Sequence, residues 1–254
     1  MNLAKEFADS RYKLLDAFDE DNKTCLVRQE GTARLFVRKE VKRDVWEASK
    51  RRLTLDGVHI VPLECAYESE GKYYLVEPYI FGETLEEYLD ENAPLSESEA
   101  EDIAGQLLDG LSLLHSNGLV HRDVTPSNII RTPEGVIKLL DFGIARITDE
   151  NKTRDTHILG TEGYAAPEQF GFRQTDARSD IYAVGVLLNS MLTLAMPGEK
   201  SPSNRRLAEV VSRATSLDPK DRYVSAEEMR AALTSGKSYT PMEKWWTNLP
   251  GFRT

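Results

Sequence analysis

The sequence predicts an α+β fold of two lobes: a small antiparallel β-sheet lobe with one main helix, then a larger, mostly helical lobe. Up to about residue 80, short β-branched and aliphatic runs alternate with polar turns. After Gly82 the apolar spacing becomes helical, with Ser or Thr caps ahead of several stretches. Residues 79–82 lie between the two patterns and are read as a hinge. The expected division is therefore 1–81, 82–236 and a tail at 237–254.

In order, residues 24–28, 35–38, 60–63 and 73–77 read as strands, and one helix is expected at about 45–55. Thr84 with Glu87 spells a capping box for a short helix. Ser96 with Glu99 spells another, opening a long helix whose Ile103, Leu107, Leu111 and Leu114 share one face. Gly118 after Asn117 stops it. Residues 180–192 are apolar nearly all round, as in a helix buried inside a lobe, and Ser225 with Glu228 caps a last helix to about Leu233.

A chain of 254 residues, 40% hydrophobic and 29% charged, can bury a sizeable core and stay soluble. Its net charge of −10 argues against binding a phosphate backbone, so no nucleic-acid partner is expected. Cys25 and Cys65 have no metal-ligand spacing, which fits a reducing cytoplasm. Residues 1–10 lack a signal-peptide pattern, and the longest apolar run, 181–188, is far short of a membrane span.

Chemistry concentrates between residues 121 and 168. His121-Arg122-Asp123 is followed by Asn128, by Asp141-Phe142-Gly143 and by Ala166-Pro167-Glu168. Residues 129–131 and 136–140 read as two short strands joined by Thr132-Pro133-Glu134-Gly135, which suits a tight turn. Such a hairpin brings Asp141 back beside Asn128. A carboxylate and an amide oxygen are ligands that Mg²⁺ accepts while it keeps water and phosphate oxygens. Asp123, just upstream, lies within reach as a base. Any one of these motifs alone is most often a turn; their order and spacing together carry the signal.

That segment resembles the catalytic and activation segments of eukaryotic-type (Hanks-type) protein serine/threonine kinases. His-Arg-Asp-Val-Thr-Pro-Ser-Asn at 121–128 resembles minimal kinases of Gram-positive bacteria in particular. The resemblance, over about residues 12–235, implies a protein-kinase-like bilobal fold, ATP with Mg²⁺ (or Mn²⁺) as cofactors, and protein substrates, the chain itself among them. It implies that Lys39 holds the α- and β-phosphates and pairs with Glu47 on the following helix. Asp123 becomes the base, Asn128 and Asp141 the metal ligands, and Arg122 a partner for a phosphorylated loop residue, Thr153 or Thr156. Thr161 falls in the loop that meets the substrate hydroxyl. Glu77, Tyr79, Ile80 and Ile130 would border the adenine pocket. Asp180 would accept backbone N–H groups of the catalytic loop, and Glu168 would pair with Arg222.

Several positions depart from that pattern. The phosphate-covering loop at 17–22 has no glycine and holds Asp19, Glu20 and Asp21. Glu77 places a carboxylate at the back of the adenine pocket and Pro78 removes one hinge N–H, while Thr125 stands where most such kinases have Lys. Acidic groups beside ATP should weaken its binding. Two rivals therefore stand beside an active kinase: a non-catalytic, pseudokinase-type binding module and a small-molecule phosphotransferase of similar fold. Trp245-Trp246 in the tail read as an anchor for a membrane or partner, or as a segment packed on the parent lobe.

Overall fold

The computed structural model describes residues 11–18, 23–141, 146–147, 163–170 and 175–235, with backbone alone at 146–147. Asp19, Glu20, Asp21, Phe142, Gly143, Thr153, Thr156, Thr161, Trp245 and Trp246 lie outside the described residues.

Strands β1 (Tyr12–Ala17), β2 (Thr24–Gln29) and β3 (Leu35–Val41) open the small lobe. Helix α1 (Arg43–Ser49) and a 3-10 turn (Lys50–Thr54) follow, then β4 (Cys65–Ser69) and β5 (Lys72–Pro78). The strands form one antiparallel sheet in the order β1-β2-β3-β5-β4. Alternation decides its buried face: Tyr12, Cys25, Val27, Phe36 and Val76 pack together, with Tyr12 edge-on to Phe36 at 5.4 Å between ring centres.

Two expectations are corrected. Residues 60–63 form no strand; Ile60 makes a single parallel bridge to Leu139, and Val61 N–H donates to Leu139 O at 3.3 Å. The sheet edge is filled by β4, whose Cys-Ala-Tyr-Glu-Ser lacks the β-branched run that strand reading looks for. The helix expected at 45–55 is also broken after Ser49, and the tighter turn points Arg52 inward while Leu53 stays exposed.

The larger lobe starts at β6 (Glu83–Thr84) and α2 (Leu85–Asn92). Its capping box is complete: Glu87 N–H donates to Thr84 Oγ1 at 3.1 Å, and Thr84 N–H to the Glu87 carboxylate at 2.8 Å. Helix α3 (Glu97–Ser116) has only half of its expected box. Ser96 accepts from Glu99 N–H, but the Glu99 carboxylate is taken by the Tyr88 hydroxyl.

Beyond α3 come β7 (Leu119–Val120), β8 (Ile129–Arg131), β9 (Ile137–Leu139) and β10 (Arg146–Ile147), then α4 (Ala177–Thr193), α5 (Arg205–Ala214) and α6 (Ala226–Thr234). Ile103, Leu107, Leu111 and Leu114 of α3 are buried with Ile181, Val184, Leu187 and Leu188 of α4. Each such side chain contributes roughly 1.5–3 kcal/mol of burial. In the hairpin between β8 and β9, Gly135 N–H donates to Thr132 O at 2.8 Å, and Gly135 has φ +79°, open to glycine at little strain. Where the chain crosses between lobes, Gly82 is obligatory for another reason. A Cβ there would lie 2.4 Å from Arg131 O and 2.7 Å from Ile130 Cγ2, at φ +155°. Among the described residues no helix is long and apolar enough to cross a membrane.

Candidate active site

The loop from β7 to β8 is held from below by one carboxylate. Asp180, fully buried on the first turn of α4, accepts His121 N–H at 2.9 Å and Arg122 N–H at 2.7 Å. His115 at the end of α3 donates to it from Nε2 at 2.8 Å. A buried carboxylate without such donors would be costly. Burial pushes the Asp180 carboxyl up, but His115, His121 and the Arg122 N–H outweigh it and hold it below the ordinary Asp value. Arg122 has φ +72°, a left-handed backbone that a non-glycine residue adopts only under constraint, and the two bonds to Asp180 supply part of that constraint.

The lowered Asp180 value sets a pH dependence. The unfolded chain binds the Asp180 proton more readily than the folded one, so its stabilising effect is complete above about pH 4 and disappears as pH falls below that. The urea midpoint of the wild-type chain is expected to drop steeply below about pH 4, and less steeply in Asp180→Asn, by circular dichroism at stepped pH. Equal slopes in the two proteins would remove Asp180 from this role.

Above the anchor, the functional side chains converge through short contacts. Asn128 Nδ2 donates to Asp123 Oδ2 at 2.7 Å and to Asp123 O at 3.0 Å, so its oxygen is the end able to ligate a cation. Leu140 N–H donates to Asn128 O at 2.8 Å, which closes the hairpin and sets Asp141 beside Asn128. His121 completes the ring: its Nε2 lies 2.7 Å from Leu140 O, and Asp123 N–H donates to its Nδ1 at 3.3 Å. Burial lowers the His121 value, so the imidazole is neutral near pH 7, and these partners assign its proton to Nε2. Asp141 is half-exposed, with φ +49°. Thr125 is buried with Oγ1 3.1 Å from Ser127 Oγ.

Lys39 reaches this cluster from β3. Its Nζ lies 3.6 Å from Asp141 Oδ1 and 3.3 Å from Glu77 Oε2. Glu47, expected to pair with Lys39, does not: its exposed carboxylate bonds Lys50 Nζ at 3.1 Å, one helical turn along. The physical reason is register. Leu75 is opposite Lys39 and Glu77 opposite Val37, so Lys39 and Glu77 share a sheet face as diagonal neighbours. Arg52 joins them, with Nη1 2.7 Å from Glu77 Oε1 and Nη2 donating to Val61 O at 2.7 Å. Burial would raise the Glu77 carboxyl, but Lys39 and Arg52 hold it below the ordinary Glu value. Burial would likewise lower the Lys39 amine, yet Glu77 and Asp141 bring it above its ordinary value. Glu77 thus stays ionised between two cations that balance its charge.

The family model described as protein kinase domain matches residues 23–237. This chain belongs to the protein kinase domain family. It is similar to the probable serine/threonine-protein kinase PknB of Lactococcus lactis, 32% identical over 207 residues, covering 72% of this chain and 33% of that protein. It is also similar to the serine/threonine-protein kinase PrkC of Bacillus subtilis, 34% identical over 221 residues, covering 78% of this chain and 33% of that protein. The serine/threonine-protein kinase PknB of Mycobacterium leprae is 34% identical over 194 residues, 67% of this chain and 31% of its own length. The chain spans about a third of the length of these curated relatives. The family uses ATP with a divalent cation and acts on proteins.

In this kinase domain Glu168 and Arg222 meet as the resemblance implies, both buried and joined in parallel at 2.7 and 2.9 Å. Ser179 Oγ donates to the same carboxylate at 2.7 Å. Next to Glu168, Gln169 Nε2 donates to Arg122 O at 2.8 Å, tying the β7–β8 loop to this bridge. Just after β5, Tyr79 N–H donates to Leu35 O at 3.0 Å, and Ile130 is buried in β8. Arg52, His115 and Gln169 escaped the sequence reading. Arg52 sits in Lys50-Arg51-Arg52, which reads as solvated cations, and the other two carry no motif signal.

Proposed function

We propose that this chain is an active protein serine/threonine kinase domain, moving the γ-phosphoryl group of ATP to Ser or Thr hydroxyls of protein substrates and of itself. The observation that supports it most is the contact chain Asp123–Asn128–Leu140 and Asp141–Lys39, which gathers a base, two oxygen ligands and a cation at one place. In this reading Lys39 binds the α- and β-phosphates and Asp123 accepts the proton of the attacking hydroxyl. Asn128 and Asp141 suit a Mg²⁺ or Mn²⁺ ion, since an amide oxygen and a half-exposed carboxylate leave room for phosphate and water oxygens. Such a cation, when bound, offsets phosphate charge. Tyr79, Ile80 and Ile130 border the adenine, Thr161 meets the acceptor, and Arg122 receives a phosphorylated loop residue; these roles rest on the sequence resemblance. The division at 81/82 and a docking role for 237–254 rest on the sequence pattern. Cys25 and Cys65, neither of them in a disulfide, support a cytoplasmic setting. Among the described residues no observation favours the non-catalytic reading.

Incubation with γ-labelled ATP and Mg²⁺ or Mn²⁺, followed by mass spectrometry, tests the proposal. Phosphate is expected on Thr153, Thr156 or another Ser or Thr within 148–161. Label on tyrosine alone, or only elsewhere in the chain, would contradict it.

A further inference from the structure

We propose that Glu77, clamped by Arg52, is the positioning residue for the Lys39 amine, in the role that the resemblance assigns to Glu47. The inference rests on the kinase reading. Three features on separate elements carry it. Lys39 and Glu77 are diagonal neighbours on β3 and β5, so their contact is set by sheet register. Glu77 is 3% exposed and Arg52 1% exposed, and each Glu77 oxygen faces a different cation, Oε2 to Lys39 and Oε1 to Arg52. Arg52 is in turn anchored on Val61 O. A lysine held by a helix loses its partner whenever the helix swings away. Here the partner belongs to the same sheet as the lysine, so the Lys39–Glu77 contact is set by strand register and not by a helix carboxylate. Arg52 also has a second effect: it balances the Glu77 charge, so the Lys39 charge remains to meet phosphate.

The test uses the full chain and measures ATP affinity by titration together with KM and kcat for autophosphorylation. Glu77→Gln should weaken ATP binding about tenfold or more, as expected on losing a charged partner, with a smaller change in kcat. Its effect should exceed that of Glu47→Gln. A larger loss from Glu47→Gln overturns the inference, because the helix would then hold Lys39. A merely structural role is separated by the double variant Arg52→Met, Glu77→Met. It removes both members of the buried pair together, which often leaves folding intact, as its melting curve would show. ATP binding should stay weak in it, since Lys39 has no sheet partner; recovery to wild-type affinity overturns the proposal. A wild-type chain that binds ATP without transferring phosphate defeats the kinase reading alone, and the order of affinities still decides this one. A wild-type chain that binds no ATP defeats both.

Discussion

Asp123→Asn is expected to lower phosphate transfer by about 10²–10⁴-fold while ATP affinity stays close to wild type. The amide oxygen can still accept from Asn128 Nδ2, now 2.7 Å from Asp123 Oδ2, and the Asp123 backbone keeps its bond to His121 Nδ1. Only basicity is lost, and basicity matters for the acceptor hydroxyl and not for the nucleotide. Single-turnover kinetics beside an ATP titration read the two separately. An unchanged rate would show that Asp123 merely shapes the loop. A loss of affinity equal to the loss of rate would place it among the nucleotide contacts instead.

Glu168→Ala should destabilise the chain by about 3–5 kcal/mol, because it leaves a buried guanidinium without its carboxylate. The apolar pair Glu168→Leu, Arg222→Met should recover only part of that loss. Arg222 also donates to Ser216 O at 2.8 Å, Arg178 O at 3.0 Å and Leu217 O at 3.3 Å, and Ser179 Oγ donates to Glu168. Removing the pair therefore orphans backbone carbonyls and a hydroxyl, each with its own desolvation penalty of about 1–3 kcal/mol. Urea denaturation of the three proteins measures this. A loss below about 1 kcal/mol for Glu168→Ala would mean that water enters and solvates Arg222.

The larger lobe was legible because its signals are local. The Thr84 cap, the α3 stripe and the turn before Gly135 each follow from residues a few positions apart, and each stands where the pattern puts it. The contacts of Asp180 and of Glu168 with Arg222 join residues more than fifty positions apart, and only resemblance could reveal them. The Lys39 partner was misread for a related reason. The resemblance pairs the strand lysine with a Glu on the next helix, whereas the observed choice depends on β3–β5 register and on a 3-10 turn that brings Arg52 inside. Neither register nor helix pitch is written in composition. The edge strand β4 was missed because Ala66, Glu68 and Ser69 are poor strand formers; its pairing with β5 supplies what propensity lacks.

Asp180 also decides how the molecule breathes. The amide protons of His121 and Arg122 are held by a side chain rooted in the middle of the helical core, and His115 ties the same carboxylate to the end of α3. Catalytic loops commonly belong to the part of a fold that opens at little free energy. With both amides bonded to that buried carboxylate, they are expected to exchange as slowly as the protected amides of α3 and α4, which hydrogen-exchange measurement would check. On the other side of the cleft, Asp141 is half-exposed and lies 3.6 Å from the small-lobe lysine.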